Sequence, residues 1–434
     1  MNKIKIWRTI IYIILLNVCF LLIKFVGALV PDSLVKNNIE DSALIFKTAG
    51  LYPTQPLTTS EQDWVENSYA QIDFFTELMM INAAYSSDAE HPIQSALNNQ
   101  YYISDNTQEF NPLINLEAAM QQSDNKVNAP QYWWGTMSIM RILFSIWNYR
   151  EIMIIFQAIF YAILIITLFC IDKYAGRLEV ITFGIGLISI NFTILSSILN
   201  FGMVFIVGFI SIILSLKFCK KPQDMIPIIT LTGCLTAFLD WMSAPIITCA
   251  MVLTYTLIAL FKNKQIKNMY SSICYLIIGG GVWGVSYFGT LIMKWFFSFI
   301  NSPNEIISIV SIRIKEDTEN YGLSYSLETI YKNIKNLMFF KVKYVSVILF
   351  LIFIFCIIIN IFKLKKDDYI KERICLVVIS LIPIMWYFVL AWHSHTHFWF
   401  TYRSLIMSIS NILLVLFYDI NPKVKNILNR FYKI

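Results

Sequence analysis

The stretch "RTIIYIILLNVCFLLIKFVGAL", residues 8–29, decides the fold. It matches the roughly 20 residues that a helix needs to cross a bilayer. Its apolar run is too long for the core of a signal peptide and no small-residue cleavage site follows, so it reads as a membrane anchor. Comparable runs recur along the chain, which is 57% hydrophobic and only 14% charged, against about 25% charged in soluble domains. In lipid only helices and closed barrels satisfy the backbone, and long unbroken apolar runs select helices over strands. The expected fold is an all-α polytopic membrane protein of about ten transmembrane helices: 8–29, 151–171, 179–197, 200–216, 225–240, 243–261, 270–297, 342–362, 374–392 and 404–418. The stretch 179–216 also reads as one re-entrant element.

Lysine and arginine set the orientation. "MNKIKIWR", "DKYAGR", "KFCKKPQD", "FKNKQIKN", "KLKKDDYIKER" and "NPKVKNILNRFYKI" alternate strictly with the spans, which places them and both termini in the cytoplasm. The net charge of +6 therefore reflects membrane topology and implies no nucleic-acid partner. Three regions follow: an anchor over 1–29, a large, partly helical first extracytoplasmic loop with interfacial helices over 30–150, and a multi-span domain over 151–434 with a second outer loop at 298–341. All eight cysteines fall in spans or at cytoplasmic ends, so no disulfide staples the outer segments. This usage fits a bacterial plasma membrane.

Within 30–150, "DSALIFKTAGLYP" reads as a short helix stopped by Gly50 with Pro53 beyond it. "SEQDWVENSYAQIDFFTELMMINAAYS" reads as a longer helix with Ser60 as N-cap, and "NLEAAMQQ" as a third. The stretch 131–152 carries apolar and aromatic residues at helical spacing. It reads as a transverse interfacial helix, or as the aromatic anchor of the next span. Arg141 lies inside it, and an arginine at membrane level usually pairs with an acid or a phosphate.

The candidate chemistry lies in four places. Asp73 and Glu77 are four apart, so on a helix they share a face. Paired carboxylates raise one another's pKa and suit general-base or metal-binding work, against the simpler reading of a solvated acidic face. Asp41, beside Glu40, is a second acidic candidate. Asp240 ends an apolar span, where a lone acid defaults to a functional role such as orienting a substrate, against a helix-end residue. In "WHSHTHFWFTYR", residues 392–403, His393 and His397 share a helical face while His395 points away. As a strand the three histidines would suit zinc, but no cysteine or acid in the stretch completes such a site. Arg403 opens the last span, where a guanidinium grips a phosphate or simply snorkels. No Walker, Rossmann or Gly-x-Ser-x-Gly motif occurs.

A long acidic first outer loop, many further spans and charge gathered outside resemble the GT-C superfamily of membrane glycosyltransferases. "QIDFFTELMMINAAY", "YWWGTMSIMRIL", "TAFLDWMSAPIIT" and "HSHTHFWFTYR" are similar to segments of an uncharacterised bacterial GT-C-like family. That family carries Tyr-Trp-His-Gly before its arginine, and His-Ser-x-x-His-x-x-Phe-Thr-Tyr-Arg near its C-terminus. Trp134 stands where the family has histidine, and His395 where it has an aromatic residue. The resemblance implies sugar transfer from a polyprenyl-phosphate donor to a glycan or lipid acceptor at the outer face. It implies an acid of the first outer loop, Asp73, Glu77 or Asp41, as base, and basic residues near the membrane at the donor phosphate. Arg403, His393, His397 and Arg141 are the candidates for that second role. Divalent ions assist some members, so a metal ion is left open and its ligands unassigned. The alternatives are a flippase for lipid-linked saccharide, which needs a polar path through the bundle, and an outer-face polysaccharide polymerase or ligase.

Overall fold

The computed structural model describes residues 7–53, 68–105, 110–121, 125–318, 321–341 and 370–417. The expected span 342–362 and the expected cap Ser60 lie outside these residues. The α-helices of six or more described residues, in chain order, are α1 (Trp7–Ala28), α2 (Asp32–Ala49), α3 (Phe74–Ser86), α4 (Pro92–Asn98), α5 (Pro112–Met120), α6 (Gly135–Phe144), α7 (Tyr149–Cys170), α8 (Arg177–Ser189), α9 (Leu199–Phe218), α10 (Met225–Leu239), α11 (Ile246–Lys262), α12 (Met269–Asn301), α13 (Pro303–Thr318), α14 (Gly322–Lys335), α15 (Ile370–Val389), α16 (Ala391–Thr396) and α17 (Ile406–Phe417). Among the described residues the only sheet pairs Tyr101–Tyr102 with Lys126–Val127, antiparallel. Six segments are long and apolar enough to cross a membrane: Trp7–Ala28, Tyr149–Ala175, Leu199–Phe218, Met269–Asn301, Ile370–Val389 and Phe398–Phe417. The chain is an all-α, multi-pass membrane protein.

Burial sorts the helices into layers. The Leu199–Phe218 segment is 78% buried and forms the centre, whereas Trp7–Ala28 is 28% buried and turns apolar side chains such as Leu15 and Leu22 outward. That outward apolar surface suits lipid. Side-chain caps set several helix starts. Asn148 and Glu151 form a reciprocal capping box at α7, and Asn111 caps α5 ahead of Pro112. Gly50, at φ +75°, ends α2 where the sequence places a stop. That helix begins at Asp32 and is longer than expected.

The stretch 179–216 divides at residues 190–198. Helix α8 stops at Ser189, Asn191 adopts φ +52°, and a 3-10 turn over Phe192–Ser197 leads into α9. At 1.5 Å per residue, the 13 residues of α8 reach only about 20 Å. A second departure concerns 131–152. Helix α6 is packed inside the protein and not laid along its surface: Gly135, Thr136, Met137, Ser138, Met140, Arg141 and Phe144 are all buried. A Cβ on Gly27 of α1 would lie 2.8 Å from Ser138 Cβ, so α1 and α6 meet backbone to backbone.

The two ends of the bundle differ. At one end the lysine-rich connectors gather: Asn263 Nδ2 donates to the Cys219 carbonyl at 3.3 Å, Lys371 Nζ to the Lys267 carbonyl at 3.1 Å, and Lys262 faces Glu179 at 3.7 Å. At the other end the 30–150 segment is fastened to the spans. Lys24 on α1 donates to Asn99 Oδ1 at 2.5 Å, and Lys294 on α12 donates to the Leu97 carbonyl and to Ser298 Oγ. Both lysines are fully buried. Lys294 thus meets a backbone carbonyl in the last turn of α4, the negative end of a helix, and Lys24 the side-chain amide oxygen of its C-cap, Asn99.

Candidate functional site

At this second end α3, the turn between α10 and α11, and the 390–400 segment enclose a cavity of about 250 Å³. Its polar lining is Asp73, Thr76, Ser243, His393 and His397. Tyr52, Tyr132, Trp241, Trp392 and Trp399 supply most of its aromatic wall.

Asp73 does not lie within a helix, as the four-residue spacing to Glu77 suggests. It is the N-cap of α3: Thr76 N donates to Oδ1 at 3.0 Å and Thr76 Oγ1 to Oδ2 at 2.8 Å. Residues on either side of it pair with 51–53, through Ile72 N to the Pro53 carbonyl at 2.8 Å and Phe74 N to the Leu51 carbonyl at 3.0 Å. This pairing brings Tyr52 beside Asp73. Burial pushes the Asp73 carboxyl above the ordinary range, against the lowering by the Thr76 bonds and by the charge of Arg403. Burial, and then the Asp73 charge, raises the Tyr52 phenol.

Glu77 lies behind the cavity, fully buried. Its Oε1 accepts Asn200 N at 2.8 Å and its Oε2 accepts Tyr149 Oη at 3.2 Å. It thereby satisfies a free N–H in the first turn of α9, a cap supplied by another helix. Burial pushes its carboxyl up to about 7.

Asp240 ends α10 and holds the turn beneath the cavity, with Ser243 N donating to Oδ1 at 3.0 Å. Its Oδ2 is buried and has no hydrogen-bond partner. Asp240 does not line the cavity, whereas Trp241, Met242 and Ser243 do. Met242 sits at φ +56°, a left-handed conformation that costs a bulky L-residue free energy and concentrates at functional sites. Trp241 packs edge-on against Trp134 at 4.9 Å and Tyr132 at 6.1 Å.

The histidine stretch is helical, so the zinc-strand geometry is absent. His393 and His397 share the cavity wall with ring centroids 4.8 Å apart. His395 points away, 4.5 Å from the Tyr325 ring and 3.5 Å from Glu328. Among the described residues no three His, Cys, Asp or Glu side chains converge to hold a metal ion, so Asp73 and the two histidines do not fit a protein-held metal.

Three expected site residues stand elsewhere. Arg403 is fully buried behind the wall. Its Nη1 donates to the Trp399 carbonyl at 3.1 Å and its Nη2 to the Tyr69 carbonyl at 3.4 Å. It sits over Phe201 and Tyr402, and it does not present a fork to the cavity. Arg141 is also fully buried. It is committed to the carbonyls of Gly27, Ala84 and Val30 and to the Asp32 carboxylate, so it holds the junction of α1, α2 and α6. Asp41 is exposed within α2, and its neighbour Glu40 accepts Tyr85 Oη at 2.7 Å. The sequence reading missed Tyr52, Trp392, Trp399 and Ser243. Trp392 and Trp399 flank the histidines and were open to notice; Tyr52 and Ser243 arrive only through tertiary folding.

The arrangement places a buried carboxyl and two imidazoles on the lining of one aromatic-walled space, with the Arg403 guanidinium behind it. Comparison of the chain with family models, with curated proteins and with solved structures finds no match, and the reading of the site therefore rests on its geometry.

Proposed function

We propose that the chain is a GT-C-like glycosyltransferase that moves a sugar from a polyprenyl-phosphate donor to a cell-surface glycan or lipid. One observation carries the reading: the buried Asp73 carboxyl, His393 and His397 line one aromatic-walled cavity. Aromatic faces suit the C–H faces of a sugar ring. Asp73 takes the proton of the acceptor hydroxyl. The acceptor oxygen bonds to the anomeric carbon as the bond from that carbon to the phosphate oxygen breaks. Polyprenyl phosphate leaves with that electron pair, and the imidazoles stabilise its charge as donors. Arg403 acts from behind as a positioning charge, through the wall it holds.

The proposal includes about ten spans, with the lysine-rich connectors and both termini in the cytoplasm of a bacterium and the cavity at the outer face. The reaction as written uses no divalent ion. The test measures transfer from a polyprenyl-phosphate hexose in membranes, together with quenching of tryptophan fluorescence by sugar-free polyprenyl phosphate. Transfer that is lost in Asp73→Asn while quenching persists supports the assignment. Full transfer by Asp73→Asn refutes it.

A further inference from the structure

Helix α14 has three faces. Ser326, Thr329 and Asn333 are buried, and this face is polar because it binds the histidine segment. Asn333 Nδ2 donates to the Ser394 carbonyl at 3.0 Å, and Thr401 Oγ1 donates to Asn333 Oδ1 at 2.8 Å. Just past the helix, Asn336 Nδ2 donates to the Phe398 carbonyl at 3.3 Å. The clamp thus spans both halves of the turn that carries His393 and His397.

The second face is apolar and uncovered. Leu323, Leu327 and Tyr331 recur every four residues and are 67%, 53% and 66% exposed. The third face, Ser324, Glu328 and Lys335, is polar and exposed. A helix with an apolar flank beside a polar flank suits the plane between lipid and water. Two neighbours share this apolar exposure. Helix α14 packs on α15, a spanning helix whose last exposed side chains are the apolar Met385, Phe388 and Val389. Helix α13, which precedes α14, exposes Ile307 and Ile312. Water against so much apolar surface would be unfavourable, at about 25 cal/mol per Å².

We propose that α14 lies in the lipid–water interface with Leu323, Leu327 and Tyr331 among the acyl chains, and that the bilayer thereby holds the histidine wall of the cavity in place. The inference needs only that the chain spans a membrane, and is independent of the reaction proposed above.

The test places the photo-crosslinker p-benzoylphenylalanine, one site at a time, at 323, 327 and 331 and at 324, 328 and 335. The full chain is held in nanodiscs of phosphatidylethanolamine and phosphatidylglycerol. Irradiation should add a lipid mass at the first three positions and none at the second three. Adducts to the chain itself at 323, 327 and 331, or equal lipid labelling at all six, would overturn the proposal. The holding role is read by hydrogen exchange. Leu323→Ser with Leu327→Ser should speed exchange of the Ser394 and His397 amides and leave those of α9 unchanged. Unchanged exchange at Ser394 and His397 rejects that role.

Discussion

Glu77 Oε1 accepts the Asn200 amide at 2.8 Å, so the first turn of α3 caps the first turn of α9. This contact fixes Asp73 relative to the bundle, because Asp73 starts the same helix. It also predicts a pH dependence. The native Glu77 carboxyl, at about 7, binds its proton more tightly than the ordinary 4.5. Its contribution to stability is therefore full below about 4.5 and is lost as pH rises to about 7. The size is of order 3 kcal/mol. Thermal unfolding between pH 5 and 8 should show a falling midpoint. Glu77→Gln should flatten that fall, and an equally steep fall in the variant would remove Glu77 as its source.

Asparagine caps helices about as well as aspartate. Asp73→Asn should leave stability near that of the wild type and lower transfer by about 10²-fold or more. Asp73→Ala should lose the same activity and about 1 kcal/mol of stability besides. Unfolding midpoints and transfer rates, measured on both variants, separate the cap from the charge. In the wild type the raised Asp73 carboxyl should place the acid limb of the transfer profile above the ordinary carboxylate range, as a pH series of transfer rates would show.

The histidines divide two to one. His393→Ala and His397→Ala should each weaken binding of polyprenyl phosphate by about one decade, the range of a hydrogen bond to a charged group. His395→Ala should leave that affinity unchanged, since its ring lies on Tyr325 outside the cavity. A titration in which His395→Ala is the most damaged of the three would reverse the assignment.

Arg403 spans two carbonyls from separate segments, Trp399 and Tyr69. Lysine supplies charge without the fork. Arg403→Lys should lower stability by about 1.5–3 kcal/mol and raise the KM for the donor more than it lowers kcat. Arg403→Met should lose both stability and transfer. Unaltered unfolding in Arg403→Lys would show that the fork carries no weight.

Topology is testable at four exposed positions. His91→Cys and Ser324→Cys should react with an impermeant thiol reagent in intact cells, above the background of the native cysteines. Lys221→Cys and Lys267→Cys should react only after lysis, as the proposed orientation requires of the basic connectors. Reaction at Lys221→Cys alone would invert the orientation.

Long apolar runs make the spans legible: α1, α7, α9, α12 and α15 fall within a few residues of their expected bounds. Gly50 is legible because only a residue tolerant of positive φ ends a helix so cheaply. The pairing of His393 with His397 follows from helical period alone. Other features depend on tertiary contacts. The place of Asp73 beside Tyr52 has no local signal, since it depends on the pairing of Ile72 and Phe74 with Pro53 and Leu51. Arg141 and Arg403 are the residue type that binds phosphate, yet both are used on carbonyls and, for Arg141, on Asp32. Met242 in a left-handed turn has no signal in sequence. The spacing of Leu323, Leu327 and Tyr331 is visible, but only the buried polar face of α14 gives it meaning.

The junction of Lys24 and Lys294 with residues 97–99 also has a history in time. Translation delivers Lys24 and Asn99 early, whereas Lys294 emerges almost 200 residues after Leu97. Until then the end of α4 has one of its two lysine partners, beside the bonds from Asn99 Nδ2 to the Ala129 and Tyr132 carbonyls. The second arrives only with α12, which locks the first long segment onto the bundle. A ribosome stalled before residue 294 thus carries a chain without its second latch, which α12 supplies before α13 to α17 follow.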